Sequence, residues 1–395
     1  MVLEIEFDHG LPHQRDELFS WGKRLQREPA VYNKAYGGFW VVSRHAEISS
    51  ILNDQENFIN AKGVTLPPLS QPVPSIPLES DPPLHRQYRA VMLPYLSPRA
   101  IQLHDDKIRA IITDALDTIA ANGTGDLMAD FAARIPARAM AFIFGFSDED
   151  AYRFDHDFSA VVAAAGSDDP QILKAAGEKL LSFLREKLED GRDNPDQDNL
   201  VSAILKHEID GRKLTESECL GLLWTTAGGA IDTTKYAIGH LVRELGVNRE
   251  IRNRLIEDPS LIPVAIEESL RLNASAFMTA RTVARKVTLG DVTMQPGDRV
   301  LIVHGWANRD EQVFSSPDEM NIDRKPTRHL TFGYGAHQCV GMHLARRELK
   351  IAIEELLQRI PDYELEQPDK SPLLLGGLMW GYDSLPIRIP GNAQA

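Results

Sequence analysis

Residues 332 to 341 read Phe332-Gly333-Tyr334-Gly335-Ala336-His337-Gln338-Cys339-Val340-Gly341, and they constrain the fold more tightly than any other stretch. Gly333, Gly335 and Gly341 sit where a tight turn needs positive φ or close backbone approach. A helical run follows, with Leu344, Ala345, Leu349 and Ile353 apolar at helical spacing. Cys339, one of only two cysteines, is thereby placed at a helix N-terminus. Unpaired N–H groups and the helix dipole there favour a thiolate. Taken alone, a glycine turn before a cysteine also suits a buried structural thiol.

Composition narrows the class. The 395 residues are 43% hydrophobic and 25% charged, ordinary for a globular protein with a large core. A net charge of −14 argues against a nucleic-acid surface. Met1 to Gly10 include Glu4, Glu6 and Asp8 and form neither a signal peptide nor an apolar anchor. No stretch approaches the roughly 18 apolar residues of a membrane span. The expectation is a soluble, cytoplasmic protein without membrane association. Cys219 and Cys339 offer no disulfide framework, and they exclude a cysteine-rich zinc site or a cysteine-held iron–sulfur cluster.

With no repeat and no low-complexity linker, residues 1–395 read as a single domain. Phe39 to Arg44 reads as a strand and His45 to Leu52 as a helix. Pro67, Pro68, Pro72, Pro74, Pro77, Pro82 and Pro83 forbid a regular helix across residues 62 to 83. From Leu84 to about Leu255 the pattern is helical, broken at Ser167-Asp168-Asp169-Pro170 and at the polar turn Gly191 to Asn199. Strands return around Thr282 to Leu289 and Arg299 to Val303, and an irregular stretch from Asp310 to Arg328 precedes the cysteine loop. The fold class is therefore mainly α with small β-sheets, placed at both ends. Within the helical run Leu220 to Val242, Gly221, Gly228 and Gly229 weaken an otherwise apolar helix. They suit either close helix packing or a local opening of the i to i−4 ladder that admits a ligand or water.

The cysteine loop resembles the haem-binding signature of the cytochrome P450 family, Phe-Gly-x-Gly-x-His-x-Cys-x-Gly. Every specified position is filled, and Leu344-Ala345-Arg346-Arg347-Glu348 continues the match. The resemblance covers essentially the whole chain. It implies the P450 fold, a triangular prism with haem b (iron protoporphyrin IX) between a long distal I-type helix and a proximal, cysteine-bearing L-type helix. Cys339 then ligates the iron, a role for which a thiolate on a rigid turn is suited, and Phe332 and Gly333 frame the cofactor. Glu268-Ser269-Leu270-Arg271 resembles the family's Glu-x-x-Arg folding element, whose acid and base pair on one helix face. Its usual third partner comes from a Pro-Asp-Arg-Phe-like segment. Here Pro317-Asp318-Glu319-Met320 puts Glu319 at the arginine position, and Arg324 and Arg328 are both candidates for the charge. Buried haem propionates demand cationic hydrogen-bond donors. Asp81-Pro82-Pro83-Leu84-His85-Arg86-Gln87-Tyr88-Arg89 resembles the segment that supplies a His and an Arg, and the resemblance adds Arg281 and His329. His337 is expected in loop packing or propionate contact. Ala227-Gly228-Gly229-Ala230-Ile231-Asp232-Thr233-Thr234 resembles the family's Gly/Ala-Gly-x-Asp/Glu-Thr motif, with Ala230 replacing the second glycine. It implies Asp232 and Thr233 as the catalytic acid–alcohol pair.

The resemblance implies a haem-thiolate monooxygenase, an oxidoreductase that acts on paired donors with incorporation of O2. Thr233 and Asp232 deliver protons to bound dioxygen, and one oxygen atom enters a mostly apolar small molecule by hydroxylation or epoxidation. The chain has no flavin or nicotinamide fingerprint, so two electrons arrive from outside, by resemblance from a ferredoxin and its reductase. Arg346, Arg347 and Lys350 form either a basic docking patch or a solvated helix face. The alternatives are a peroxide-using peroxygenase, against which the Asp232–Thr233 pair speaks, and a non-catalytic haem sensor. The implied substrate pocket draws on Val64, Leu66 and Ile76, on Trp224, Thr225, Gly228 and Gly229, on Phe277 and Met278, and on Leu378 and Met379. So apolar a lining implies a terpenoid, steroid, fatty acid or aromatic substrate.

Overall fold

The computed structural model describes residues 3–390 apart from 12, 14, 69–70, 166–168 and 326; the break expected at Ser167 and Asp168 lies outside the described residues. Helices dominate, and the longest runs Glu216–Val247. Its start is dictated locally. Thr215 Oγ1 accepts from the Glu218 backbone N–H at 3.2 Å, and Glu218 Oε2 accepts from the Thr215 N–H at 2.7 Å, closing a capping box. Arg212 donates to the same carboxylate at 2.7 and 2.8 Å and holds Glu218 well below the usual carboxylate range. Leu222, Leu223, Ile238, Leu241 and Leu245 are buried along this helix. They pack it against the helices Pro136–Phe144, Ile262–Leu272 and Met342–Arg359.

Of Gly221, Gly228 and Gly229 in the long helix, only the first serves the close packing that sequence allowed. A Cβ on Gly221 would lie 2.4 Å from the Pro74 carbonyl oxygen, so the proline-rich loop closes on the helix only because no side chain intervenes. Cβ atoms on Gly228 and Gly229 would meet nothing within 4 Å. The expected opening of the helical ladder is not found, because the helix continues without a break through both residues. The absent side chains, not a break in the backbone, make the room.

Among the described residues the largest sheet has six strands and joins N-terminal strands to two strands from residues 279–302, while the C-terminal strands form small sheets of their own. Phe39–Val42 pairs in parallel with Arg299–Ile302, setting Val41 opposite Leu301. Arg299–Ile302 pairs antiparallel with Thr279–Val283, setting Thr279 opposite Ile302. The strand expected from Thr282 to Leu289 is in fact the end of Thr279–Val283 followed by the first arm of the hairpin Val287–Leu289/Val292–Met294. Residues 62 to 83 contain no regular helix and 310 to 328 stay irregular among the described residues, as proline content requires. No helix of the described residues is long and apolar enough to cross a membrane.

Candidate active site

The cysteine loop is built as its glycines demand. Gly333 and Gly335 take φ of 65° and 69°, and a Cβ on Gly335 would lie 2.5 Å from the Leu52 carbonyl oxygen. The Cys339 N–H donates to the Phe332 carbonyl at 2.8 Å and closes the turn. Cys339 thus ends beside the helix Met342–Arg359, facing a cavity of about 300 Å³ whose far wall is the long helix. Its side chain is exposed to that cavity while lying deep in the protein. Burial pushes the thiol up from its ordinary value, although the Gly341 and Met342 N–H groups and the charges of Arg89 and Arg346 oppose it. The helix start thus favours the thiolate, as the sequence implies, but desolvation outweighs it, and a bound metal cation deprotonates a coordinating thiol.

One end of the cavity is cationic. His85, Arg89, Arg281 and His337 all line it, and the two imidazoles lie with ring centroids 3.9 Å apart. Burial, with Arg89 adding to it, pushes His85 down to about 4. Burial, His85, Arg281 and Arg89 push His337 down to about 3. The Arg281 guanidinium, 7% exposed, donates only to the Ala280 carbonyl, at 2.8 Å, and Arg89 has no hydrogen-bond acceptor among the described residues. A buried and a half-buried guanidinium, neither paired with a carboxylate among the described residues, fit a dianionic ligand. An apolar slot, the side-chain-free helix position at Gly229 and a cysteine opposite complete a site that haem would fill. His329 does not join this set. It lies in an adjoining pocket and faces Glu267 on the helix Ile262–Leu272, Nε2 to Oε2 3.2 Å. Phe332 and Gly333 line both pockets.

On the opposite wall Thr233 lines the cavity, and its hydroxyl donates to the Gly229 carbonyl at 2.8 Å, leaving the oxygen free to accept. Asp232 is turned out of the cavity. Its Oδ1 accepts from Lys235 Nζ at 2.5 Å, one turn along the helix. The structure therefore brings Thr233, but not the Asp232 carboxylate, to the cavity.

Of the expected pocket residues, Val64, Thr225 and Gly229 line the cavity. The others do not. Phe277 and Met278 are 1% exposed in a separate aromatic core, where Phe277 meets Phe19, Trp306 and Trp380 edge-on or tilted. Leu66 packs on that same core, and Ile76 belongs to the main helical core. Trp224 points its indole N–H outward to Gln71 Oε1 at 3.1 Å. Gly228 lies off the lining face, Leu378 gives its carbonyl to the Phe277 N–H, and Met379 packs on the helical core. Ser275, Ala276 and Thr279 line the cavity where Phe277 and Met278 were expected, together with Leu78, Met140 and His304. Sequence offered no signal for His304, whose cavity position depends on strand register.

Two further expectations are decided. Glu268 accepts from Arg271 at 2.8 and 2.9 Å and from Arg324 Nε at 2.9 Å, so Arg324 is the third partner. Burial alone would raise the Glu268 carboxyl; Arg271 and Arg324 outweigh it and hold it low. Arg328 instead stacks on Tyr334, 3.8 Å from the ring centroid. The basic patch is not free. Arg346 grips Glu267 at 2.6 and 2.8 Å, Arg347 pairs with Asp105 and Lys350 with Glu354.

The family model for cytochrome P450 matches residues 138–377. The putative cytochrome P450 123 of Mycobacterium bovis is 30% identical over 381 residues, 95% of this chain and 94% of that protein. The mycinamicin IV hydroxylase/epoxidase of Micromonospora griseorubida is 32% identical over 360 residues, 89% of this chain and 88% of that one. A solved cytochrome P450 from Chondromyces apiculatus superimposes with a TM-score of 0.86 at 27% identity, covering 98% of each chain. Fold and relatives together define a monooxygenase of the haem-thiolate class. The chain belongs to the cytochrome P450 family.

Proposed function

We propose that this P450, read as one domain over residues 1–395, binds haem b, that Cys339 would hold its iron, and that it oxidises a mostly apolar small molecule with O2. The observation that carries the reading is the opposition, across one cavity, of a glycine-framed cysteine and the hydroxyl of Thr233, with Arg89 and Arg281 at the edge, neither paired with a carboxylate among the described residues. Bound haem supplies an iron centre that activates dioxygen, with a thiolate ligand that favours cleavage of the O–O bond.

The chain's own residues do the rest. Arg89, Arg281, His85 and His337 hold the cofactor carboxylates, and His329 acts apart from them by orienting Glu267. Gly229, with no side chain, leaves room in the cavity that the cofactor would occupy. Thr233, donating to the Gly229 carbonyl, presents an oxygen that accepts from a water in the cavity. Asp232 receives protons from solvent on the Lys235 side and passes them toward that water. Val64, Leu78, Met140 and Ala276 exclude solvent from the reacting C–H or C=C bond. This wall favours a terpenoid, steroid or fatty acid, and a relative of this chain is a hydroxylase/epoxidase. Electrons come from a ferredoxin and its reductase, in a cytoplasmic setting. With Arg346, Arg347 and Lys350 paired internally, the donor meets a face where those charges are already neutralised.

The test is Cys339→Ala. Wild type should give the strongly red-shifted Soret band of ferrous, carbonyl-bound, thiolate-ligated haem, and the variant should lose it. A variant that keeps the band removes Cys339 as the ligand.

A further inference from the structure

We infer that Thr279 and His304 form a neutral donor pair for the carboxylate that Arg281 binds, adding a haem-holding element built from a sheet strand and the helical turn that follows its neighbour. The inference rests on the cofactor reading above.

Thr279 and Arg281 are two apart on the strand Thr279–Val283, so their side chains leave the same face, and both line the cavity. His304 follows the neighbouring strand Arg299–Ile302, which the register sets beside Thr279. It is 4% exposed, and its Nε2 lies 2.9 Å from Thr279 Oγ1. His304 Nδ1 has no partner among the described residues. Burial, with Arg281 beside it, pushes this imidazole down to about 3, so it is neutral and carries a single N–H.

The tautomer follows from what each nitrogen can find. A proton on Nδ1 would be a buried donor with nothing to meet; a proton on Nε2 meets the Thr279 oxygen. His304 Nε2–H therefore donates to Thr279 Oγ1. That oxygen is then occupied as an acceptor, and the threonine O–H is directed away from the imidazole, toward the cavity beside Arg281. A guanidinium and a hydroxyl, both donating into one corner, fit a carboxylate oxygen far better than an apolar substrate, which could pair neither. The imidazole cannot shift easily. The next residue is Gly305, where a Cβ would lie 2.1 Å from the Phe277 ring, and the Gly305 N–H is bonded to the Phe277 carbonyl at 3.0 Å. Phe277, absent from the substrate pocket, thus acts as the brace behind His304.

The experiment compares haem-loaded wild type with Thr279→Val, which keeps the shape and removes the hydroxyl, and Thr279→Ser, which restores it. Haem release into a scavenging apoglobin is timed, and the ferric/ferrous midpoint potential is recorded. Thr279→Val should release haem about tenfold faster or more, the effect of losing a hydrogen bond to a charged group. Its potential should shift, and Thr279→Ser should return both toward wild type. His304→Leu should behave like Thr279→Val, while His304→Gln, which keeps an N–H donor, should lie closer to wild type. Release at the wild-type rate from Thr279→Val overturns the inference, and so does a change confined to substrate-induced spectra, which would mean that the hydroxyl reads the substrate. Wild-type protein that takes up no haem overturns the cofactor reading and this inference together.

Discussion

Arg324 and Arg328 are one helical turn apart in sequence, yet the fold gives them unrelated work. Arg324, half-buried, donates to the buried Glu268, which also accepts from Arg271 and from the Asn321 N–H at 3.0 Å. Arg328 lies over Tyr334 as a cation–π contact. Arg324→Ala should therefore cost about 3 kcal/mol, because it removes one partner of a buried carboxylate. Arg328→Ala should cost under about 1 kcal/mol. Urea midpoints of the two variants check the contrast, and equal losses would remove Arg324 from the network. Sequence showed that a positive charge was missing at Glu319 but not which arginine replaced it, since the choice depends on how residues 310–328 fold back on the helix Ile262–Leu272. His329 was misplaced for the same reason: its ring turns to Glu267, a contact that only tertiary packing creates. The cysteine loop, by contrast, was fully legible, because positive φ at Gly333 and Gly335 is a local demand.

At the scale of elements, the long helix and the proline-rich loop make a joint that glycine alone permits. Gly221→Ala would drive a methyl to 2.4 Å from the Pro74 carbonyl oxygen, and backbone cannot rotate out of the way as a side chain can. We expect a loss of about 1–3 kcal/mol, with the loop displaced from the cavity mouth. Gly228→Ala meets open space and should instead stabilise the helix by up to about 1 kcal/mol. Thermal unfolding of both variants tests the pair: a destabilised Gly228→Ala, or an unperturbed Gly221→Ala, contradicts this division. The helix and its capping signal Thr215-Glu216-Ser217-Glu218 are both written in sequence, and the second could have placed its start. The pairing of Arg347 with Asp105 could not, because the two residues lie on distant helices; the Lys350–Glu354 pair, at i,i+4, was readable. The pocket lining was illegible where burial was decided by sheet assembly. Phe277 and Met278 look like pocket residues until the strand from Thr279 pairs with Arg299–Ile302 and turns them into the aromatic core.

Across the whole molecule, the response to acid depends on which groups fold into water-poor surroundings. His240 is 1% exposed in the long helix and ties it to the C-terminal strand Met379–Gly381 by a contact of 3.0 Å between Nε2 and the Trp380 carbonyl. Burial pushes it down to about 3 from an ordinary 6.5. The folded chain thus holds fewer protons here than the unfolded chain between those two values, so stability rises with pH across that window. The His240 contribution is intact above pH 6.5 and falls away as pH drops, by about 2 kcal/mol at pH 5. Wild type alone would not isolate it. Burial raises the Asp155 carboxyl to about 6 and Glu348 well above its usual value, and groups raised in this way favour the folded state as pH falls. Salt-bridged carboxylates such as Glu267, held near 2 by Arg346 and His329 against the opposing effect of burial, release their stabilisation only below about pH 4.5. His240→Gln keeps an N–H donor for the Trp380 carbonyl and cannot be charged. The drop in unfolding free energy from pH 7.5 to pH 5, measured by denaturant titration, should be smaller in this variant than in wild type by about 2 kcal/mol. Equal drops would mean that His240 accepts its proton without unfolding, and that the seam between the long helix and the C-terminal strand is open to water.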